Sequence, residues 1–305
     1  MKKTSIVHIQ LLPILSGVQK SMIDFITRLD RDKYDITVIC QCQGQLVDVL
    51  RKHQIKVLFI PELRRQINPY YDLIAFIKLY RLFKTQKYDV VHTHSSKPGF
   101  LGRLAAKTAK TKAIVHTVQG FAFHEFSSRI STVVFTFLEK IAALVSDIII
   151  SVNEYDRRIA IERRIVKRDK IITIPNGICL EEFTINIDVE DKKRQLGIAP
   201  NKKVVGMVAR LWAQKAPQVF IKAAAYVLER RKDVVFLLVG DGELKSELEL
   251  LVGELGIEKD VLFTGWRTDV PQILEILDIF LLTSLWEGLP ITILEAMVKR
   301  KPVVA

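Results

Sequence analysis

From residue 5 to residue 305, short runs of β-branched and aliphatic residues alternate with longer amphipathic segments. That alternation restricts the chain to parallel sheets joined by crossover helices, the α/β class. Strands buried on both faces read as continuous apolar runs, and VVFLLV at 234–239 is one of them. Strands are expected over 5–10, 35–40, 56–61, 90–94, 113–118, 147–152 and 170–175 in a first series. A second series is expected over 203–209, 234–239, 261–264 and 278–283, with a helix from 290 onward.

Pro175-Asn176-Gly177 interrupts the pattern, and a polar stretch through Asp188, Glu190 and Asp191 leads to Gly197 and Pro200. Domains are therefore expected over 1–180 and 181–305. There is no internal repeat, so two separately wound sheets facing a cleft are the simplest arrangement, with ligands at the carboxyl ends of the strands. The last residues, 301–305, begin a strand and stop, so the second domain is expected to be incomplete and the chain cut short.

Charge separates the halves. Residues 1–180 carry 29 Lys and Arg against 15 Asp and Glu, whereas 181–305 carry 17 against 19. A basic first half suits a phosphate-bearing partner or an anionic membrane surface, and it also suits an ordinary solvated surface. The densest basic run, Arg163, Arg164, Lys167, Arg168 and Lys170, has no interleaved aromatic residues, so nucleic acid ranks below membrane. The three cysteines, Cys40, Cys42 and Cys179, form neither a disulfide framework nor a zinc spacing, which fits a reducing cytoplasm. The N-terminal apolar stretch is broken by His8, Gln10 and Pro13 and reads as a strand rather than a signal peptide. The segment 130–150 carries Glu139, Lys140 and Asp147, so no run reaches the ~18 residues of a membrane span.

The chemistry concentrates after strands. Glu287-Gly288-Leu289-Pro290 through Glu295 reads as a turn and a helix start with acids eight residues apart. Gly288 permits close backbone approach, Pro290 suits a first helical turn, and the exposed amides can hold an anion. Glu295, among Ile293, Leu294, Ala296 and Met297, needs a partner if it faces inward, and ribose hydroxyls supply one. Arg210 and Lys215 follow a buried strand, five residues apart, and together suit a diphosphate. Gly240-Asp241-Gly242-Glu243 reads as a structural turn with a helix cap. Trp266 and Arg267 could frame a base.

In the first half, Gly17 follows strand one and could let a phosphate or sugar approach backbone amides, or simply start a helix. The dinucleotide fingerprint is absent there, which disfavours a dehydrogenase. His92 and His94 share a strand face without a nearby Cys or carboxylate, so no metal is expected. His116 lies near the end of an expected central strand, where it is either a site residue or a satisfied structural histidine.

Together with His94–Arg103 (HSSKPGFLGR) and Leu281-Leu282-Thr283-Ser284, these elements resemble family 4 glycosyltransferases, especially bacterial enzymes of capsule and O-antigen synthesis on lipid carriers. The resemblance covers nearly the whole chain and implies the GT-B fold. It implies that Glu287 contacts donor sugar hydroxyls, Glu295 holds ribose, and Arg210 and Lys215 hold the diphosphate. Gly288 and Leu289 line the donor seat, while Gly17 and His116 meet the donor's phosphate or sugar. Gly17 departs from the pair of adjacent glycines common among relatives. The implied reaction is retaining transfer of a hexose or N-acetylhexosamine from a UDP-sugar or GDP-sugar to a lipid-diphosphate or glycan acceptor. It proceeds by front-face attack without metal or other cofactor, at the cytoplasmic face of the cell membrane. A truncated inactive nucleotide-binding remnant and a GT-B nucleotide-sugar epimerase are the alternatives.

Overall fold

The computed structural model describes residues 2–121, 123 and 126–305. It divides the chain into two compact units, Met1–Asn176 and Gly177–Ala305. The division falls inside the Pro175-Asn176-Gly177 turn, slightly ahead of the expected boundary at 180. Asn176 belongs to the first unit because its side chain is tied to Ser21 (3.0 Å) and Gln119 (3.2 Å). Phe183, just downstream, is buried in the core of the second unit.

The first unit is a seven-stranded parallel sheet. Its strands are β1 (Thr4–Ile9), β2 (Tyr34–Cys40), β3 (Lys56–Phe59), β4 (Val90–His94), β5 (Ala113–Val118), β6 (Ile148–Ser151) and β7 (Ile171–Thr173). The crossovers carry α1 (Gly17–Thr27), α2 (Gln45–Lys52), α3 (Pro69–Gln86), α4 (Ser96–Thr108), α5 (Arg129–Leu144) and α6 (Glu154–Glu162). The second unit has α7 (Val189–Gln195), β8 (Lys203–Val208), α8 (Pro217–Arg230), β9 (Val234–Val239), α9 (Lys245–Glu254), β10 (Val261–Phe263), α10 (Val270–Ile276), β11 (Ile279–Leu281), α11 (Ile291–Val298) and β12 (Val303–Val304).

The strand orders are β3-β2-β1-β4-β5-β6-β7 and β10-β9-β8-β11-β12. Each sheet is wound from its middle outward, back across, and outward again. The winding reverses between β1 and β4 in one sheet and between β8 and β11 in the other, and open α/β sheets bind ligands at such reversals. Local chemistry explains the helix starts: Asn68 accepts from the amides of Tyr70 (3.1 Å) and Tyr71 (3.3 Å) ahead of α3, whose first residue is Pro69. Aspartates just before strands latch neighbouring strands. Asp89 accepts from the Ser5 amide (3.0 Å), Asp147 from that of Ile114 (2.8 Å), and Asp278 from that of Val204 (2.8 Å). Asp147 and Asp278 therefore stand outside the strands in which the sequence pattern placed them.

The cores differ. All six residues of β9 are buried, and Phe236 meets Phe220 of α8 edge to face at 5.6 Å. The first unit divides its apolar core into separate clusters, and His8, Gln10, His92, His94, Arg103, His116 and Glu139 are buried among them. Among the described residues, no helix is long and apolar enough to cross a membrane.

Candidate active site

In the second unit, the loop after β8 and the loop after β11 are laced together at the winding reversal. The Leu285 amide donates to the Gln214 carbonyl (2.8 Å), and the Gln214 side-chain amide donates to the Trp286 carbonyl (2.8 Å). The Thr283 hydroxyl lies 3.1 Å from the Lys215 carbonyl and 3.0 Å from that of Ala216. Lys215 Nζ is ion-paired with Glu287 Oε1, both side chains being partly buried. The two motifs recognised separately in the sequence, 72 residues apart, thus form one cluster.

Ala216 sits at φ 43°, in the left-handed region that a residue with a Cβ adopts only under constraint. The Thr283 hydroxyl and Pro217, at the first position of α8, impose that constraint, so Lys215 projects from a fixed hairpin of backbone. The Arg210 guanidinium lies over the Trp212 ring, 3.7 Å from its centroid, which orients its plane. Gly288 and Leu289 lie just ahead of α11, and Glu295 is buried on that helix at 4% exposure.

Gly240-Asp241-Gly242 serves as a support. A Cβ on Gly240 would stand 2.0 Å from the Ala209 carbonyl oxygen, so only glycine lets this turn press against the Arg210 loop. The Leu211 amide donates to the Asp241 carbonyl (3.0 Å). The expected helix cap is not formed: the Asp241 carboxylate accepts from the Gly242 amide (2.8 Å), and α9 has no side-chain cap. Of the two residues expected near the base, Trp266 is 49% exposed. Arg267 instead forks onto Asp269, at 2.7 and 2.6 Å, and Asp269 also receives Lys192 (2.5 Å). The Arg267 guanidinium is thereby engaged in holding its own loop.

In the first unit, β1 and β4 flank the reversal. Gly17 opens α1 at an exposed position, after an N-cap Ser16 whose hydroxyl bonds Gln19. His116 does not stand at a strand end. It is the fourth residue of β5, 2% exposed, with Nδ1 2.8 Å from the Thr93 hydroxyl. A Cβ on Gly99 would fall 2.5 Å from its ring, so α4 lies directly on it. Burial, with Arg103 and His92 nearby, holds its pKa well below the ordinary imidazole value. His116 therefore supports the sheet–helix contact from the interior of β5, whose bounds are those expected from the sequence. The first residue past β5 is Gln119, bonded to Asn176. The sequence marked Asn176 only as part of the boundary turn, and its proximity to Gln119 depends on the parallel pairing of β5, β6 and β7.

The HSSKPGFLGR stretch has a structural role as well. Arg103 is fully buried, donating to the Gly99 carbonyl (2.8 Å) and pairing with Glu139 of α5 (2.8 Å). Ser95, between β4 and α4, has φ 63° and ψ 161°, a region that side chains rarely enter. On the opposite sheet face from His116, His92 and His94 are joined by His8 of β1, a third histidine that sequence spacing could not bring to them. An open basin of about 490 Å³ at the ends of β2 and β3 is lined by Gln41, Cys42, Pro61, Arg64, Arg65 and Gln66.

Two parallel sheets of the same central-outward winding, with a cation–carboxylate cluster at the second reversal, define a glycosyltransferase of the GT-B architecture. Anabaena Alr3699/HepE, solved in complex with UDP and glucose, superposes with a TM-score of 0.84 at 25% identity, over 99% of this chain and 80% of that one. The Glycosyltransferase Family 4 profile matches residues 15–182, and that of Glycosyl transferases group 1 matches 188–305. The UDP-Gal:alpha-D-GlcNAc-diphosphoundecaprenol alpha-1,3-galactosyltransferase of Escherichia coli is 43% identical over 298 residues, covering 96% of this chain and 77% of that protein. The N,N'-diacetylbacillosaminyl-diphospho-undecaprenol alpha-1,3-N-acetylgalactosaminyltransferase of Campylobacter jejuni is 28% identical over 283 residues, 90% of this chain and 73% of that protein. The chain belongs to glycosyltransferase family 4 and is a hexosyltransferase.

Proposed function

We propose that this protein transfers a hexose or N-acetylhexosamine from a UDP-sugar to a polyprenyl-diphosphate-linked acceptor, with retention of configuration, in surface-polysaccharide synthesis. The Lys215–Glu287 cluster carries the reading, since it sets a cation for phosphate beside a carboxylate for sugar hydroxyls. Arg210 and Lys215 neutralise the departing diphosphate, the charge that grows in the transition state. The amides of Gly288 and Leu289 approach the donor, Glu287 orients the sugar, and Glu295 binds ribose. Trp266 is the side chain available to the base. UDP is favoured over GDP because the Escherichia coli relative uses UDP-Gal and the Anabaena structure holds UDP. The α-linkage named for both relatives supports retention. The chemistry needs no metal, because two side-chain cations meet the diphosphate.

The acceptor side belongs to the first unit, where the Arg64–Arg65 basin offers positive charge to a diphosphate. Its basic surface suits an anionic bilayer at the inner membrane face. α5 adds an apolar stripe at helical spacing: Ile130, Val133, Val134, Phe137 and Leu144 are all exposed, flanked by Arg129 and Lys140. Nothing in this surface calls for nucleic acid.

Calorimetric titration of UDP and GDP, repeated with Arg210→Ala and Glu295→Ala, tests the donor assignment. Saturable UDP binding lost in both variants is expected, and binding that survives both would overturn it. Turnover of UDP-galactose with a diphosphoundecaprenol-linked GlcNAc acceptor separates transfer from epimerisation, which would proceed without acceptor. Co-sedimentation with phosphatidylglycerol vesicles, weakened by Phe137→Glu, tests the membrane face.

A further inference from the structure

Three histidines meet where the first sheet reverses its winding. His8 and His92 are register partners on β1 and β4, and His94 follows His92 by two residues, so all three rings lie on one face of the sheet. They are 0%, 9% and 4% exposed. Ring centroids are 4.9 Å apart for His8 and His92, 5.5 Å for His8 and His94, and 4.4 Å for His92 and His94. One nitrogen from each ring lies within 4.8 Å of the others. The nearest pair, His8 Nδ1 and His94 Nε2, is separated by 3.1 Å.

A hydrogen bond explains only that pair. Among the described residues, His8 Nε2 and His94 Nδ1 are buried without a hydrogen-bond partner. Imidazoles bound at about 2.0–2.1 Å around a tetrahedral ion hold their ligand nitrogens roughly 3.3 Å apart and their ring centres roughly 5 Å apart. The three ring-centre separations bracket the second figure, and the His8 Nδ1–His94 Nε2 distance of 3.1 Å lies close to the first. His92 Nε2 is 2.7 Å from the Thr117 hydroxyl, the outer-shell contact that orients a ligating imidazole and leaves Nδ1 to face the other rings.

We propose that His8, His92 and His94 form a binding site for one divalent d-block cation, with Zn²⁺ its natural occupant. Three imidazoles are the donor set of open zinc sites, whose fourth position takes water or an anion, and nitrogen donors select Zn²⁺, Co²⁺ or Ni²⁺ over Mg²⁺ or Ca²⁺. The site lies in the first unit, whereas the diphosphate-directed cations Arg210 and Lys215 lie in the second. It is independent of the glycosyl-transfer reading. Its effect is to cross-link β1 and β4 at the point where the sheet has no covalent continuity. His94 is the last residue of β4 and is followed by the strained Ser95, so occupancy also fixes the entry to α4.

The test uses the full 305-residue chain without a polyhistidine tag, stripped by chelator and titrated with Co²⁺. One equivalent is expected to bind, with the intense visible absorption of a four-coordinate ion, and Zn²⁺ is expected to displace it. Hyperfine-shifted proton NMR of the Co²⁺ form should show three exchangeable imidazole N–H signals, a readout that needs no variant. His94→Asn should weaken binding at least about tenfold and Thr117→Val about tenfold, while the exposed His53→Asn stays as wild type. Absence of stoichiometric binding, fewer than three imidazole signals, or loss of binding only in His53→Asn would each overturn the site and leave a purely structural cluster.

Discussion

The two units share a winding plan and differ in where they place polarity. The second keeps its sheet apolar, with β9 buried along its whole length, and puts its buried charges outside the sheet, Lys192, Lys193 and Glu295 on helices, with the Lys215–Glu287 pair on loops. The first buries polar groups inside the sheet itself: three histidines on one face, His116 on the other, and the Arg103–Glu139 pair between helices. An apolar sheet holds its site at arm's length, so site and core can change separately. A polar sheet makes the same residues answer for stability and for function.

The largest expected effect breaks that contrast directly. Arg103→Ala leaves Glu139 buried and unpaired and should cost about 3–5 kcal/mol of first-unit stability. The double replacement Arg103→Met with Glu139→Leu should restore most of it, read by hydrogen exchange in α4 and α5. In the second unit, Arg210→Ala should lower turnover about 10²–10³-fold while leaving the fold intact. Trp212, Trp266 and Trp286, the protein's three tryptophans, all lie in that unit, so a fluorescence melt reports it alone.

Acid should separate the units next, in metal-free protein. Burial keeps His116 neutral, so its contribution is present above the unfolded imidazole value of about 6.5 and is lost as pH falls below it. Asp269 is held below the usual carboxylate range by the Arg267 fork and by Lys192. Its contribution is present above its unfolded value near ~4 and lost only as pH falls further, toward its folded value. Hydrogen exchange should therefore loosen around β5 before tryptophan fluorescence changes, and coincident transitions would erase the distinction. The smallest effect is expected at the exposed Lys112–Asp89 pair, where Lys112→Ala should cost no more than about 1 kcal/mol in a denaturant melt.

The alternation of strands and helices was legible because buried parallel strands must be continuous apolar runs, and such a run does not depend on its neighbours. The loops that carry Arg210, Lys215 and Glu287 were legible for a related reason: each follows such a run, and the helix that carries Glu295 comes directly after. Contacts set by register were not. Nothing local says that His8 lies beside His92, that Gly240 presses on Ala209, or that Asn176 reaches Gln119. His116 was placed on the right strand, but its packing under Gly99 of α4 depends on a helix–sheet contact that the sequence does not show. The fork of Arg267 onto Asp269, two residues on, was not foreseen either.

On the proposed assignment of Lys215 to the donor's diphosphate, its pair with Glu287 makes donor binding an exchange. The arriving phosphate must draw the ammonium from a carboxylate already satisfying it, and the departing nucleotide leaves the lysine a partner to return to. A bare lysine would hold its product tightly; a lysine with a standing companion binds less tightly and lets go sooner. On this view the pair tunes the enzyme's residence time as much as its recognition, and removing the carboxylate should lengthen the stay of UDP even as it abolishes transfer.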